Sequence, residues 1–196
     1  MPAPSDAPLL RAGLLDGLDV VLAGVPPAVS ETIAALGADV HGLTADPLDE
    51  EALAAQARSL PRATVVVADA SAVMRAASAD DGVPGAAGLR DAVAATWNVA
   101  RAVVVAHLEP SGFGKVLLVA PRPRDGAGAP AAGAALENLA RTTGVEWARL
   151  GIRVVAVRPR DSTTDAALAQ VVAFLASPAG DYYSGTALDL GTALSP

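Results

Sequence analysis

A parallel, doubly wound α/β sheet is the fold this sequence predicts, and three observations carry the prediction. Short β-branched runs such as TVVVA from Thr64 and IRVVAV from Ile152 recur along the chain, and uninterrupted runs of that kind belong to strands buried on both faces. Segments of helical period separate them. The 196 residues, 52% of them apolar, suit one domain with a full core.

Each element follows in order. Residues 1–17 are rich in Pro and Ala without a period and read as a loose arm, leaving 18–196 as a single domain. DVVLAG, Asp19 to Gly24, is a first strand, and Pro27 to Leu36 a helix with proline in its first turn. Gly37 stops it, Ala38 to Leu43 is a second strand, and Asp46 to Leu60 a helix with an acidic start and Arg58 near its end. After the strand Thr64 to Ala68, the stretch Asp69 to Gly88 reads as a polar, glycine-containing segment.

Leu89 to Leu108 is a long helix with two apolar stripes. Leu89, Val93, Trp97, Val104 and Leu108 form one; Ala92, Val99, Val103 and Ala106 form the other. Val116 to Ala120 is a strand, and Ala131 to Leu150 a helix in which Leu136, Leu139, Thr143 and Trp147 recur at three- and four-residue spacing. Gly151 ends that helix and Ile152 to Val157 follows as a strand. A helix from Thr164 to Ala176 and a strand from Gly185 to Leu190 complete the alternation, whose crossovers are right-handed.

Composition narrows the function. A formal charge of −7 argues against nucleic acid or an anionic membrane as partner, since either needs a clustered basic face. With zero cysteines there is no disulfide and no thiolate metal site, and His41 and His107 have no ligand spacing. MPAPSDAPLL lacks the pattern of a signal peptide and no apolar run reaches the ~18 residues of a membrane span. A cytoplasmic protein is expected. Abundant alanine, with arginine far ahead of lysine, suggests a GC-rich bacterial genome.

The run ALENLARTTGVEWARLGIRVVAVRPR closely resembles the helix and following strand of the short-chain dehydrogenase/reductase family. The resemblance extends from Leu18 to Leu194 and includes the closing LASPAGDYYSGTALDLG. It implies a Rossmann-like sheet, shortened here because the chain passes almost directly from HGLT to DPLDEE. It also implies a nicotinamide cofactor and a proton-transfer set, and neither is legible. The family's glycine-rich phosphate turn becomes Gly24, Ala28 and Ser30, with Pro26 and Pro27 between them. Proline has no N–H, so donors are lost from an anion nest. The positions matching the family's catalytic Asn, Ser, Tyr and Lys are Ala92, Pro121, Ala129 and Gly133. Asp69 puts a carboxylate where phosphate or ribose would lie, which disfavours a dinucleotide.

The pair has not moved elsewhere: the only lysine is Lys115, and the tyrosines are Tyr182 and Tyr183. No nucleophile elbow, P-loop or zinc-binding motif replaces it. Arg122, Arg124 and Arg160, with Asp125 and Asp161 beside them, are either self-paired surface charge or a contact for an anion or partner. The expected function is a catalytically silent subunit with no catalytic residue, cofactor or metal. It forms a homodimer or higher oligomer, or a hetero-oligomer with an active homologous oxidoreductase. The family assembles through the two long helices, so Trp97, Val99, Val103, Leu136, Leu139 and Trp147 are the interface candidates. The alternative is a divergent enzyme that binds NAD or NADP weakly, or another small ligand, at a non-standard site.

Overall fold

The computed structural model describes residues 10–80 and 86–191. One sheet of six parallel strands forms the middle layer, in the order β2-β1-β3-β4-β5-β6. The strands are β1 (Asp19–Ala23), β2 (Asp39–Gly42), β3 (Val65–Asp69), β4 (Gly114–Val119), β5 (Ile152–Arg158) and β6 (Thr186–Asp189). All six coincide with predicted strands. Helices α1 (Pro27–Ala35) and α7 (Asp165–Ala176) cover one face, packing on Val20, Leu22, Val65, Val67, Leu117 and Val119. Helices α2 (Glu50–Ser59), α4 (Ala86–Val103) and α6 (Ala129–Glu146) cover the other, over Val21, Val66, Val116, Leu118 and Val154. Successive strand residues alternate between the two cores, as the pleat requires. This is the Rossmann-like, doubly wound architecture, with β1 followed on one side by β2 and on the other by β3.

Four sequence-based expectations change. The second half of the arm is not loose: residues 12–17 form turns, Leu15 is fully buried, and its N–H donates to Leu36 O at 3.0 Å. Residues 1–9 of that arm and 192–196 of the closing segment lie outside the described residues. The supposedly polar stretch after β3 contains a further helix, α3 (Ser71–Asp80). Its only large apolar residues in the first two turns are Val73 and Met74, so alanine supplies helix propensity without a visible stripe.

The long helix breaks phase near its end. Val104–Leu108 is a π-turn, and a short α5 (Glu109–Ser111) follows with Pro110 in its first turn. Pro110 has no N–H to give to the carbonyl four residues back, and the Glu109 N–H reaches Val104 O instead. The wider turn rotates Val104 and Leu108 onto the sheet beside Val103, so all three are buried. The stripe predicted from Leu89 to Leu108 therefore ends at Trp97.

The fourth correction concerns the interface candidates. Val99 and Val103 lie in the core against the sheet, and Leu136 is buried beneath α6. Trp97, Leu139 and Trp147 are only partly buried, and the two tryptophans stack on each other with ring centroids 5.8 Å apart. Among the described residues no helix is long and apolar enough to cross a membrane.

The lone lysine is a structural anchor. Lys115 is buried at the start of β4, and its Nζ donates to Leu175 O at 3.3 Å, Ala176 O at 3.0 Å and Ser177 O, while Asp181 Oδ1 lies 2.6 Å away. It thus caps the carbonyl end of α7, where a cation also meets the negative end of the helix dipole. Burial lowers its pKa, against the opposing pull of Asp181. Both histidines are likewise structural: His41 Nε2 meets Asp19 Oδ1 at 3.2 Å and His107 Nε2 meets Ala57 O at 2.8 Å.

Candidate functional site

The site lies where the strand order reverses, at the carboxyl ends of β1 and β3, which is where open α/β sheets take ligands. β1 ends in Gly24 with φ +70°, and a Cβ there would stand 2.6 Å from Asp69 O. Only glycine lets the turn leave the sheet so close to the next strand. Pro26 then caps α1 and Pro27 begins it. Ala28 adds a methyl group, and the Ser30 hydroxyl donates back to Pro27 O at 2.8 Å rather than into the cleft. Of the turn, Gly24, Pro26 and Pro27 line the cleft, and the two altered positions, Ala28 and Ser30, are not among the residues that line it.

β3 ends in Asp69, whose Oδ1 accepts the Ser71 N–H at 2.7 Å, an Asx-type turn that launches α3. Oδ2 has no hydrogen-bond partner among the described residues. Burial pushes this carboxyl up from 3.8 to about 6; the Ser71 hydroxyl and amide and the nearby Arg122 charge offset only part of that, and Asp125 adds to it. β4 leads through Pro121 into Arg122, which is 4% exposed and reaches Asp165 Oδ1 with Nη2 at 2.5 Å. Asp125 closes the following 3-10 turn by accepting the Arg122 N–H at 2.8 Å, and Arg75 of α3 pairs with its other oxygen at 2.9 Å. These groups and the Gly24–Pro27 turn enclose a cavity of about 470 Å³. On the other side of Asp69, toward Leu43, Pro47 and Val99, only about 50 Å³ remains.

Two of the three arginines are ion-paired. Arg122 is held by Asp165 and Arg160 meets Asp189 in a two-pronged pair at 2.9 and 2.8 Å, whereas Arg124 donates its backbone N–H to Asp161 Oδ1 at 2.9 Å and its Nη1 to the Asp161 backbone carbonyl at 2.8 Å. Arg160 is directed to the β6 edge, away from the cavity. Of the two readings of this cluster, self-pairing describes Arg122 and Arg160, while the Arg124 guanidinium meets a backbone carbonyl and no carboxylate among the described residues. Ser71, Arg75 and Asp165 were not anticipated as cleft residues. For Ser71 the signal was present, because Asp-Ala-Ser before an alanine-rich run is a helix-start pattern. For Arg75 and Asp165 nothing local distinguishes them from surface charge.

The positions matching the family's catalytic residues meet in a different setting. Ala92 and Ala129 join Ala70, Met74, Ala120, Ala132 and Leu136 in one buried apolar cluster. Pro121 is buried next to it, and Gly133 packs with its Cα hydrogen toward Ala120 and Arg158; a Cβ there would lie 3.4 Å from Arg158 Nε. Met74, from the unforeseen α3, is fully buried within this cluster. Among the described residues no group of three or more potential metal ligands is found.

Comparison with solved structures fits this geometry to a known fold. A hydroxysteroid dehydrogenase from Escherichia coli superposes with a TM-score of 0.71 at 19% identity, covering 90% of this chain and 97% of that one. A Serratia marcescens short-chain dehydrogenase/reductase variant gives 0.68 at 19% identity, covering 90% and 96%. The chain has the short-chain dehydrogenase/reductase fold. At such identity the likeness speaks for the fold alone. No protein-family model matches the sequence, and no curated protein matches it either.

Proposed function

We propose that this chain is a catalytically silent subunit of short-chain dehydrogenase/reductase fold that assembles through α4 and α6, with a second copy or with an active homologue. The observation that carries the reading is an apolar groove of about 690 Å³ along the outer side of those helices, lined by Leu89, Val93, Ala94, Trp97, Ala135 and Leu139 among others. In a doubly wound fold the outer side of a covering helix is polar when it meets water. Here Val145, further along α6, is also 77% exposed. A contiguous apolar patch is uncommon on soluble monomers, and covering it gains about 25 cal/mol per Å².

The silent half of the reading rests on the alanine and methionine cluster at the catalytic positions. A proton donor needs a titratable group within reach of the reacting atom, and the positions that match the family's catalytic residues hold Ala92, Pro121, Ala129 and Gly133. The turn after β1, two prolines and a self-bonded serine, supports the companion proposal that the cleft refuses NAD(H) and NADP(H). Ala135→Glu places a charge in the groove without touching the core. Light scattering and native mass spectrometry are expected to show an oligomer for the parent chain, alone or with a co-expressed homologue, and a smaller species for the variant. A parent protein that stays monomeric at tens of micromolar and captures no homologue refutes the reading.

A further inference from the structure

A further cavity, of about 340 Å³, lies between α2 and α4 and shares no residue with the α4–α6 groove or with the cleft beside Gly24. Its volume lies in the range of small-molecule sites. The helix defect at the end of α4 shapes it. While the π-turn directs Val104 and Leu108 onto the sheet, Val105 in the same turn is left 60% exposed, and Val105 and Ala106 line the cavity together with Ala54 and Ala102. His107, also in the π-turn, meets Ala57 O at 2.8 Å and so ties this wall to the last turn of α2, which carries Arg58. Near the other end of α2, Asn98 of α4 is 7% exposed and donates its amide N–H to Pro47 O at 3.2 Å. These two bonds hold α2 against α4 at both of its ends, so the cavity is formed before anything enters it.

The polar part of the lining carries a net positive charge, Arg58 and Arg101 against Glu50. Glu50 engages Arg101, and Arg58 has no ion-pair partner among the described residues. A cation would meet two guanidiniums and one carboxylate already engaged. An inorganic anion satisfies Arg58 and leaves the apolar wall in water. A neutral apolar molecule covers that wall but offers nothing to the guanidinium from which it displaces water. A carboxylate on a hydrocarbon body does both, and its two oxygens match the planar fork of an arginine.

We infer that the α2–α4 cavity binds a small carboxylic acid anion with an apolar body, its carboxylate on the Arg58 guanidinium and its hydrocarbon part on Ala54, Ala102, Val105 and Ala106. The α4–α6 groove plays no part in this site, and the inference does not rest on the subunit reading.

Calorimetric titration of the intact protein at neutral pH with butyrate, hexanoate and octanoate tests it, with hexanol and inorganic phosphate as the two halves of the ligand taken separately. Octanoate is expected to bind with a Kd of about 1 mM or tighter. Each lengthening along the series is expected to tighten binding at least about threefold, as added methylenes leave water. Arg58→Gln and Val105→Glu, both at exposed positions, are each expected to weaken octanoate binding at least about tenfold while the thermal transition of the free protein is kept. The inference is overturned if octanoate binds no tighter than about 10 mM, if hexanol matches hexanoate or phosphate matches octanoate, or if binding survives both variants. Binding that Ala135→Glu abolishes and Val105→Glu spares belongs to the α4–α6 groove and overturns it equally.

Discussion

Asp69→Asn stabilises the protein above the carboxylate range and slightly destabilises it below, and the crossover follows from burial. The folded carboxyl titrates at about 6 against 3.8 for its ordinary value. Between those limits the folded chain keeps a proton that the unfolded chain has released, so stability falls as pH rises through the window. The loss reaches about 3 kcal/mol once both states are ionised, from a shift of about two units at 1.36 kcal/mol each. Asparagine stays neutral throughout and retains an oxygen for the Ser71 N–H, but its amide N–H₂ replaces an unpaired acceptor with unpaired donors, which offsets about 1 kcal/mol. The variant is therefore expected to be about 1 kcal/mol less stable near pH 3.5 and about 2 kcal/mol more stable near pH 8. At 2–4 °C per kcal/mol for a chain of this size, the gain at the upper end is about 4–8 °C in Tm. Urea unfolding followed by far-UV circular dichroism, run on both proteins at intervals across that range, isolates the effect because the two proteins differ at one titratable group. A stability difference that does not change with pH would refute the reasoning.

Lys115→Met strips the cation from three carbonyls at the end of α7 and leaves Asp181 without it, so urea unfolding at neutral pH should show a loss of about 3–5 kcal/mol. The double variant Ala129→Tyr, Gly133→Lys restores the family's pair in name only: tyrosine enters a space filled by Met74 and alanines, and the lysine lies beside Arg158. It is expected to show no nicotinamide-dependent turnover in a spectrophotometric assay and to lose about 1–3 kcal/mol from overpacking, seen as a lower Tm. Titration with NADH or NADPH followed by nucleotide fluorescence is expected to show no saturation below about 1 mM; a micromolar isotherm would reinstate the cofactor cleft.

How much could be read from residues alone depended on how local the determining force was. Valine- and leucine-rich runs declare β1, β3, β4 and β5 wherever they sit, while β2 and β6, with one β-branched residue each, were placed by the alternation of elements around them. Helix α3 was not legible, because Ser71, Arg75 and a string of alanines show no periodic apolar face, and what holds the helix is Met74 entering a cluster built by α4, β4 and α6. The stripe on α4 was legible up to Trp97 and false after it, since a proline six residues beyond Val104 changes the turn type and an ideal 100° rotation no longer applies. Leu15 was hidden because its burial depends on Leu36, at the far end of the first βα unit. In the cleft, Asp69 was legible as a carboxylate at a strand end. Which acid each arginine would choose was not: Arg122 and Asp165 are 43 residues apart and meet only through the sheet.

The contact between Trp97 and Trp147 has a spectroscopic consequence. These are the only two indoles in the chain, and they lie with ring planes 19° apart and centroids at 5.8 Å. Transition dipoles this close couple, so the near-ultraviolet dichroism carries a contribution from the pair beyond that of either ring. One partner of that pair lies on the wall of the α4–α6 groove. Anything that settles there changes the dielectric around one indole, which gives the wild-type protein an unlabelled optical report on whether that groove is covered.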